Sequence, residues 1–380
     1  MGLHKIHLQL AEKIDHAMSA WEHTVSNTPG VRRLDTLVKG VHDAVLGGSD
    51  RVAKQAPFLR DSMGMQRYMI MPILICLPLL LFSIYLYGWR ALSIVVVTYV
   101  FGVLTEFIFI VVRRHEITEG VLVSCMLFAL ALPPTLPLWM VALGIVFSIA
   151  IGKEVFGGSG YNIFNPAIVG RAFLLVSFPV YMTTKWYQPA AFGSVWGGLL
   201  HYQPALDALT TATPLQLIKY GDGLSPHVTS SLWDMFLGLR AGSLGESSVL
   251  LLLLGGALLV VTKIVDWRLT VVMLATMFVS GEVFHTFVPD TFPATGLMQM
   301  MMGGALFAAV LNITDPVTSP MTRKGKWWFA IGVGLLTVLI RALTGYNEGI
   351  TFAILLGNAF VPLLDRMTLP KSFAAEAKAS

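Results

Sequence analysis

The sequence predicts an all-α, polytopic membrane protein, and two observations carry that prediction. Asp, Glu, Lys and Arg make up only 13% of the 380 residues, where a soluble chain carries about 25%. Hydrophobic residues make up 55%, and the mean hydropathy is +0.70. They are also gathered into runs. Ile73 to Tyr87, Ala91 to Val112, Val249 to Val261 and Ala330 to Ile340 are, as a set, too apolar and too uncharged for ordinary core helices. A soluble enzyme is therefore excluded. Cys76 and Cys125 both fall inside apolar segments, so this chain alone builds no disulfide framework and no four-cysteine cluster site. The pI near 9.0 comes from short basic clusters between apolar runs; orientation in a bilayer accounts for them, and no nucleic-acid partner is implied.

Residues 1–66 are polar and amphipathic and show no cleavable signal peptide. Within them Leu8, Ile14, Ala17 and Trp21 recur near helical spacing, as do Val38, Val41 and Val45 after Pro29-Gly30, predicting two surface helices. Ten candidate spans follow, near 67–87, 91–112, 120–133, 136–152, 164–183, 247–265, 269–287, 297–313, 327–343 and 349–366. Arg113-Arg114, Lys153, Lys263 with Arg268, and Arg323-Lys324-Lys326 fall after the second, fourth, sixth and eighth spans. The alternate short connections carry Arg90, with Arg341 close to the last of them. Every second connection is basic, which predicts a cytoplasmic N-terminal region and a cytoplasmic tail at 367–380.

The long outer segment 184–246 separates a membrane unit at 67–183 from a second at 247–366, with five spans in each. Five is odd, so a duplicated unit would sit inverted in the bilayer, giving two inverted five-helix repeats. The third span ends in Leu132-Pro133-Pro134-Thr135-Leu136-Pro137 and the eighth in Thr314-Asp315-Pro316-Val317-Thr318-Ser319-Pro320. Short, proline-broken segments at matching places mark a midplane site between repeats.

Three constellations could carry chemistry. From Lys153 to Arg171 the chain holds Gly157, Gly158, Gly160, Asn162, Asn165 and Pro166. Glycines let a ligand or another helix approach the backbone, and Pro166 suits the first turn of a helix. The third glycine of a dinucleotide fingerprint is missing, and no Walker A motif occurs. A tight re-entry turn and a ligand site both remain open for this stretch. In the outer segment, Asp207-Ala208-Leu209-Thr210-Thr211-Ala212-Thr213-Pro214 reads by composition as a turn with Thr213 capping a helix opened by Pro214. Third, Glu106 interrupts the second span with no basic residue before Arg113, and a carboxylate at that depth needs a partner or a purpose. Glu282, Asp315 and Asp365 lie in or beside later spans. Hard oxygen ligands suit a cation path; helix capping or pairing with an arginine is the structural alternative. The nine histidines show no metal spacing, so no metal site and no catalytic residue is assigned.

The outer motif is similar to the sequon on which a flavin transferase attaches FMN to threonine through a phosphoester. Asp207, Thr210, Ala212 and Thr213 match it, and Thr211 stands where the sequon has glycine. The likeness extends to Arg114-His115-Glu116, Leu132 to Trp139, Lys153 to Arg171, Thr314-Asp315-Pro316-Val317, Gly325-Lys326-Trp327 and Asn358 to Asp365. Together, from about Arg60 to Asp365, these resemble the B-type subunit of the Na+-translocating NADH:quinone oxidoreductases, with the D-type subunit of the homologous Rnf ferredoxin:NAD+ oxidoreductases as the near alternative. The polar N-terminal extension favours the quinone reductase; the short connection at Tyr87 to Arg90 departs from members with a longer outer insert.

The resemblance implies a ten-helix scaffold in a bacterial inner membrane that relays electrons to ubiquinone, or another quinone, coupled to Na+ export. It implies FMN bound covalently at Thr213 and noncovalent riboflavin within the membrane part, for which Asn162, Asn165 and Arg171 are the candidates. NADH, FAD and iron–sulfur centres would belong to sister subunits. The same resemblance places Glu106, Asp315 and Asp365 at acidic positions of an ion path, and Gly102, one turn before Glu106, where a quinone or a neighbouring helix approaches closely. A flavin-free channel or solute transporter is the rival of a different class, since inverted units with broken helices suit permeation too.

Overall fold

The computed structural model describes residues 65–113, 120–183, 186, 236–238, 242–246, 248–346 and 348–369. The two expected surface helices, the sequon residues Asp207, Thr210, Ala212 and Thr213, and the C-terminal tail lie outside the described residues. All regular structure among the described residues is helical. In chain order it comprises α1 Met65–Tyr87, α2 Trp89–Arg113, α3 Gly120–Leu130, α4 Leu138–Gly152, α5 Pro166–Ser177, α6 Pro179–Thr183, α7 Val249–Val261, α8 Trp267–Phe287, α9 Gly296–Met301, α10 Ala305–Phe307 running into a π-helical turn Ala308–Asn312, α11 Arg323–Leu343 and α12 Ile350–Thr368. Six of these segments are long and apolar enough to cross a bilayer, and α3, α5 and α7 are shorter apolar helices.

Sequence sets the faces. On α2, Ala91, Ile94, Thr98, Gly102 and Thr105 are buried while Val96, Val100, Leu104 and Ile108 are exposed. Each set steps by three or four, so one stripe packs and the other is an apolar outer surface suited to lipid. Tryptophans at or near helix ends, Trp89, Trp139, Trp267, Trp327 and Trp328, are exposed, as expected of side chains lying at a membrane interface. At the connection between α7 and α8, Asp266 accepts from the Arg268 amide and from Lys326 Nζ, at 3.1 and 3.0 Å. Burial works to raise its carboxyl, but these hydrogen bonds and the neighbouring charges outweigh it and hold the group below the usual carboxylate range.

Two helices stop inside the apolar slab. α3 has 11 residues, about 16 Å of rise, roughly half of a hydrocarbon core. It ends at Leu130 rather than near 133, and the irregular stretch to Pro137 frees backbone carbonyls. Arg90 covers two of them, donating to Pro134 O at 3.3 Å and Leu136 O at 2.6 Å, and the Leu244 amide donates to Leu132 O at 3.0 Å. The expected eighth span is itself broken after Met301, earlier than the proline-rich end at 314–320. The cause is Gly303-Gly304, with Gly303 at φ +61°, a conformation that glycine adopts without a Cβ penalty. Arg341, buried, donates to Gln299 O at 2.6 Å and Met302 O at 2.8 Å. Both breaks thus carry an arginine on their freed carbonyls.

The neighbour pattern of the first half recurs in the second. α2 packs on α3 and α4, and α4 on α5; α8 packs on α9 and α11, and α11 on α12. Short sequence matches follow the same correspondence. Trp89-Arg90 and Trp267-Arg268 open α2 and α8, Gly160-Tyr161-Asn162 and Gly345-Tyr346-Asn347 precede α5 and α12, and Gly170-Arg171-Ala172-Phe173 and Gly357-Asn358-Ala359-Phe360 lie within those helices. The glycines of the last pair occupy like positions. A Cβ on Gly170 would meet Ser148 Cβ at 2.6 Å on α4, and one on Gly357 would meet Phe329 and Val333 side chains at 2.8 Å on α11. Gly170→Leu should therefore destabilise the chain by overpacking, by about 1–3 kcal/mol, read as a lowered melting midpoint in detergent. The same change at Gly332, where a Cβ has nothing within 4 Å, should leave the midpoint in place.

Candidate functional site

At the end of α4, Lys153 turns back into the bundle and its Nζ lies 2.7 Å from Glu106 Oε2, both side chains being 3% exposed. Glu154 Oε1 lies 4.0 Å from the same ammonium, and Arg113 donates to the Glu154 carbonyl. Glu106 therefore does have a basic partner, 47 residues ahead in sequence. One lysine stands between two carboxylates here. Gly102 packs tightly on α3: a Cβ there would lie 2.4 Å from Cys125 Sγ and 3.1 Å from Ile145 Cγ1, so the close approach observed at Gly102 is that of neighbouring helices.

After Glu154–Phe156, Gly157, Gly158 and Gly160 all take positive φ, at 123°, 96° and 90°. These values favour glycine and let the chain reverse into α5. Asn165 caps α5, accepting from the Ala167 amide at 3.0 Å, with Pro166 in the first turn as its fixed φ favours. A donor of the same carboxamide reaches Asn312 O across the bundle at 3.3 Å. The Asn358 carboxamide on α12, turned so that its nitrogen faces Thr318 O and its oxygen the Asn165 amide, makes both bonds at 3.2 Å. Asn162, also buried, donates to Phe164 O at 3.2 Å beside exposed Tyr161 and Ile163. Asn162 and Asn165 are thus brought to one re-entry loop, where carboxamides from both halves of the chain meet.

Arg171 points elsewhere. Its guanidinium is held by Glu348, with Glu246 at 3.8 Å. Glu348 also accepts from the Gly304 amide at 3.4 Å. This buried group ties α5 to the break between α9 and α10. The remaining acids are bound to backbone. Asp315 accepts from Val317 N at 3.2 Å and the Thr318 hydroxyl at 3.0 Å. Asp365 accepts from Met321 N and Thr322 N, each at 3.1 Å, just before α11. Glu282 accepts from Gly296 N at 3.1 Å. Glu106, Asp315 and Asp365 are therefore three separate environments, only the first of them an ion pair.

Sequence reasoning missed Lys153, Glu246, Glu348 and Asn312. Lys153 looked like a topology charge, and its signal was the absence of any other base for Glu106.

Residues 52–374 match the NQR2, RnfD, RnfE family. The chain belongs to that family. Among its relatives, the B-type subunit of the Na(+)-translocating NADH-quinone reductase of Azotobacter vinelandii is 41% identical over 284 residues, 73% of this chain and 66% of that protein. The D-type subunit of the proton-translocating ferredoxin:NAD(+) oxidoreductase complex of Clostridium ljungdahlii is 38% identical over 327 residues, 84% of this chain and 94% of that protein. The D-type subunit of an ion-translocating oxidoreductase complex of Halorhodospira halophila is 35% identical over 336 residues, 83% and 94% of the two chains. This chain thus spans just under two thirds of the Azotobacter protein. With its apolar helices, membership in the NQR2, RnfD, RnfE family makes it a multi-pass membrane protein.

The buried pair gives a direct test. Removing one partner strands a buried charge, at about 3–5 kcal/mol, whereas removing both is far milder. Lys153→Met should lower the melting midpoint of the purified protein sharply, and Lys153→Met with Glu106→Gln should recover most of the loss. Additive losses in the double variant would mean that the two groups do not interact.

Proposed function

We propose that this chain is the flavin-carrying, B-type membrane subunit of a Na+-translocating NADH:quinone oxidoreductase. It relays electrons to ubiquinone in a bacterial inner membrane, with both termini cytoplasmic. The observation that carries the reading is the family match over residues 52–374, which takes in the threonine sequon, the glycine loop and the intramembrane acids. The recurring helix neighbours and the paired Trp-Arg, Gly-Tyr-Asn and Gly-x-Ala-Phe segments support two inverted five-helix repeats.

In this reading FMN is attached to Thr213 within the sequon Asp207, Thr210, Ala212, and riboflavin lies at the re-entry loop. Flavins supply electron-transfer chemistry when bound, and the polypeptide sets their position and surroundings. The loop fits such a group. Asn162 and Asn165 bring buried carboxamides there, and the orphaned carboxamide of Asn312 adjoins them. Arg171, engaged by Glu348 and Glu246, fixes α5 from behind. Glu106, Asp315 and Asp365 form the ion path, and Lys153 is the counter-ion that a cation replaces at Glu106. NADH and iron–sulfur chemistry belong to sister subunits.

A second reading, the D-type subunit of an Rnf complex, is favoured by one observation. Relatives of that type are matched over 94% of their length, and α1 and α2 are joined by Gly88 alone, with no outer insert. One purification separates the readings. The complex isolated from its native host should show this chain as a flavin-fluorescent band on a denaturing gel, and Thr213→Ala should abolish that band. A co-purifying flavoprotein with ferredoxin-like and NADH-binding domains supports the quinone reductase; a multi-cluster ferredoxin subunit supports the Rnf type. An intact but dark wild-type band contradicts covalent FMN and favours a flavin-free transporter.

A further inference from the structure

Asn312 closes the π-helical turn Ala308–Asn312, where the Ile313 amide donates to Ala308 O at 2.8 Å. Such turns are rare and gather at functional positions. Its side chain is 1% exposed, yet neither Oδ1 nor Nδ2 has a hydrogen-bond partner. An apolar residue of the same size would avoid that desolvation, so packing alone gives no reason for asparagine at this position. Its main chain is held: Asn312 O accepts from Asn165 Nδ2. Asn165 spends its oxygen on the Ala167 amide and a donor on that carbonyl, so it fixes the strut on which Asn312 stands.

The pair of orphaned atoms discriminates among ligands. A cation would take Oδ1 and leave the amide donors stranded. A group that presents a donor beside an acceptor satisfies both atoms at once. The pyrimidine ring of an isoalloxazine has that pattern, its N3–H lying between two carbonyls. We infer that Asn312 is a specificity-determining ligand of the membrane-embedded riboflavin, its carboxamide pairing with the N3–H and an adjacent carbonyl of the flavin's imide edge. This rests on the riboflavin reading of the re-entry loop given above.

The test is flavin content in the complex purified from its native host. Noncovalent flavin is released with acid and separated by chromatography, while FMN that stays on the polypeptide reports that the protein is folded and modified. Asn312→Leu removes both polar atoms at similar size, and the expected result is roughly tenfold or greater loss of riboflavin with the covalent band unchanged. Asn312→Asp keeps an acceptor but loses the donor, and should also lose riboflavin. A residue satisfied only by a buried water predicts the opposite: Asn312→Leu keeps its riboflavin and is as stable as wild type or more so. Full riboflavin in either variant overturns the assignment of Asn312 and leaves the riboflavin reading standing. Wild-type complex without any acid-released riboflavin overturns that reading, and this inference with it.

Discussion

Within the apolar slab of a bilayer, a backbone carbonyl or amide that leaves a helix finds no water, and each one left bare costs several kcal/mol. The rest of this structure depends on how that constraint is met at the two broken helices. The break after α3 is covered by Arg90 and by the Leu244 amide, and the break after α9 by Arg341 and Glu348. Only because these groups take up the freed backbone can irregular chain, with its turned-in carbonyls and close glycine approaches, stand at the centre of the molecule. A site at the junction of two halves is the structural consequence.

The same constraint governs the charges. Arg341 adds no unpaired charge in a featureless apolar region, since it sits on the carbonyl end of α9, where a cation is favoured. Arg171 is neutralised by Glu348 and Glu246, joining the first half of the chain to the second. Glu106, Lys153 and Glu154 form the other buried group, at the re-entry loop. Two carboxylates around one ammonium leave a local excess of negative charge, and a loop built on Gly157, Gly158 and Gly160 adjoins it. Where a polytopic protein keeps ionisable groups this deep, they mark an ion or electron path more often than packing.

Much of this was legible from residues. The apolar runs located the spans, Asn165-Pro166 located the start of α5, and the glycines after Glu154 located the re-entry. Three things were not. The partner of Glu106 is 47 residues distant, and a period-3.6 pattern speaks only of neighbours along one helix. The break at Gly303-Gly304 carries no proline, so the proline-rich stretch beyond it drew the boundary too late. Arg341 looked like an exception to the charge rule and is a buried cap. The paired Trp-Arg, Gly-Tyr-Asn and Gly-x-Ala-Phe segments are present in the sequence, but each is too short to mean a duplication until the helices that carry them are seen to have matching neighbours. Asn312 had no signature at all, because a lone asparagine in an apolar run says nothing about whether its carboxamide is paired.

The central claim is that two like units stand in opposite senses across the membrane, with their broken helices meeting between them. It is tested most directly by which face each Trp-Arg pair occupies. Both native cysteines are buried, so a membrane-impermeant maleimide should label single-cysteine variants over a low background. Trp89→Cys and Trp267→Cys, each at an exposed position, should be labelled from opposite sides in sealed vesicles of defined orientation. Labelling of both from the same side would contradict the inverted arrangement and the junction built upon it.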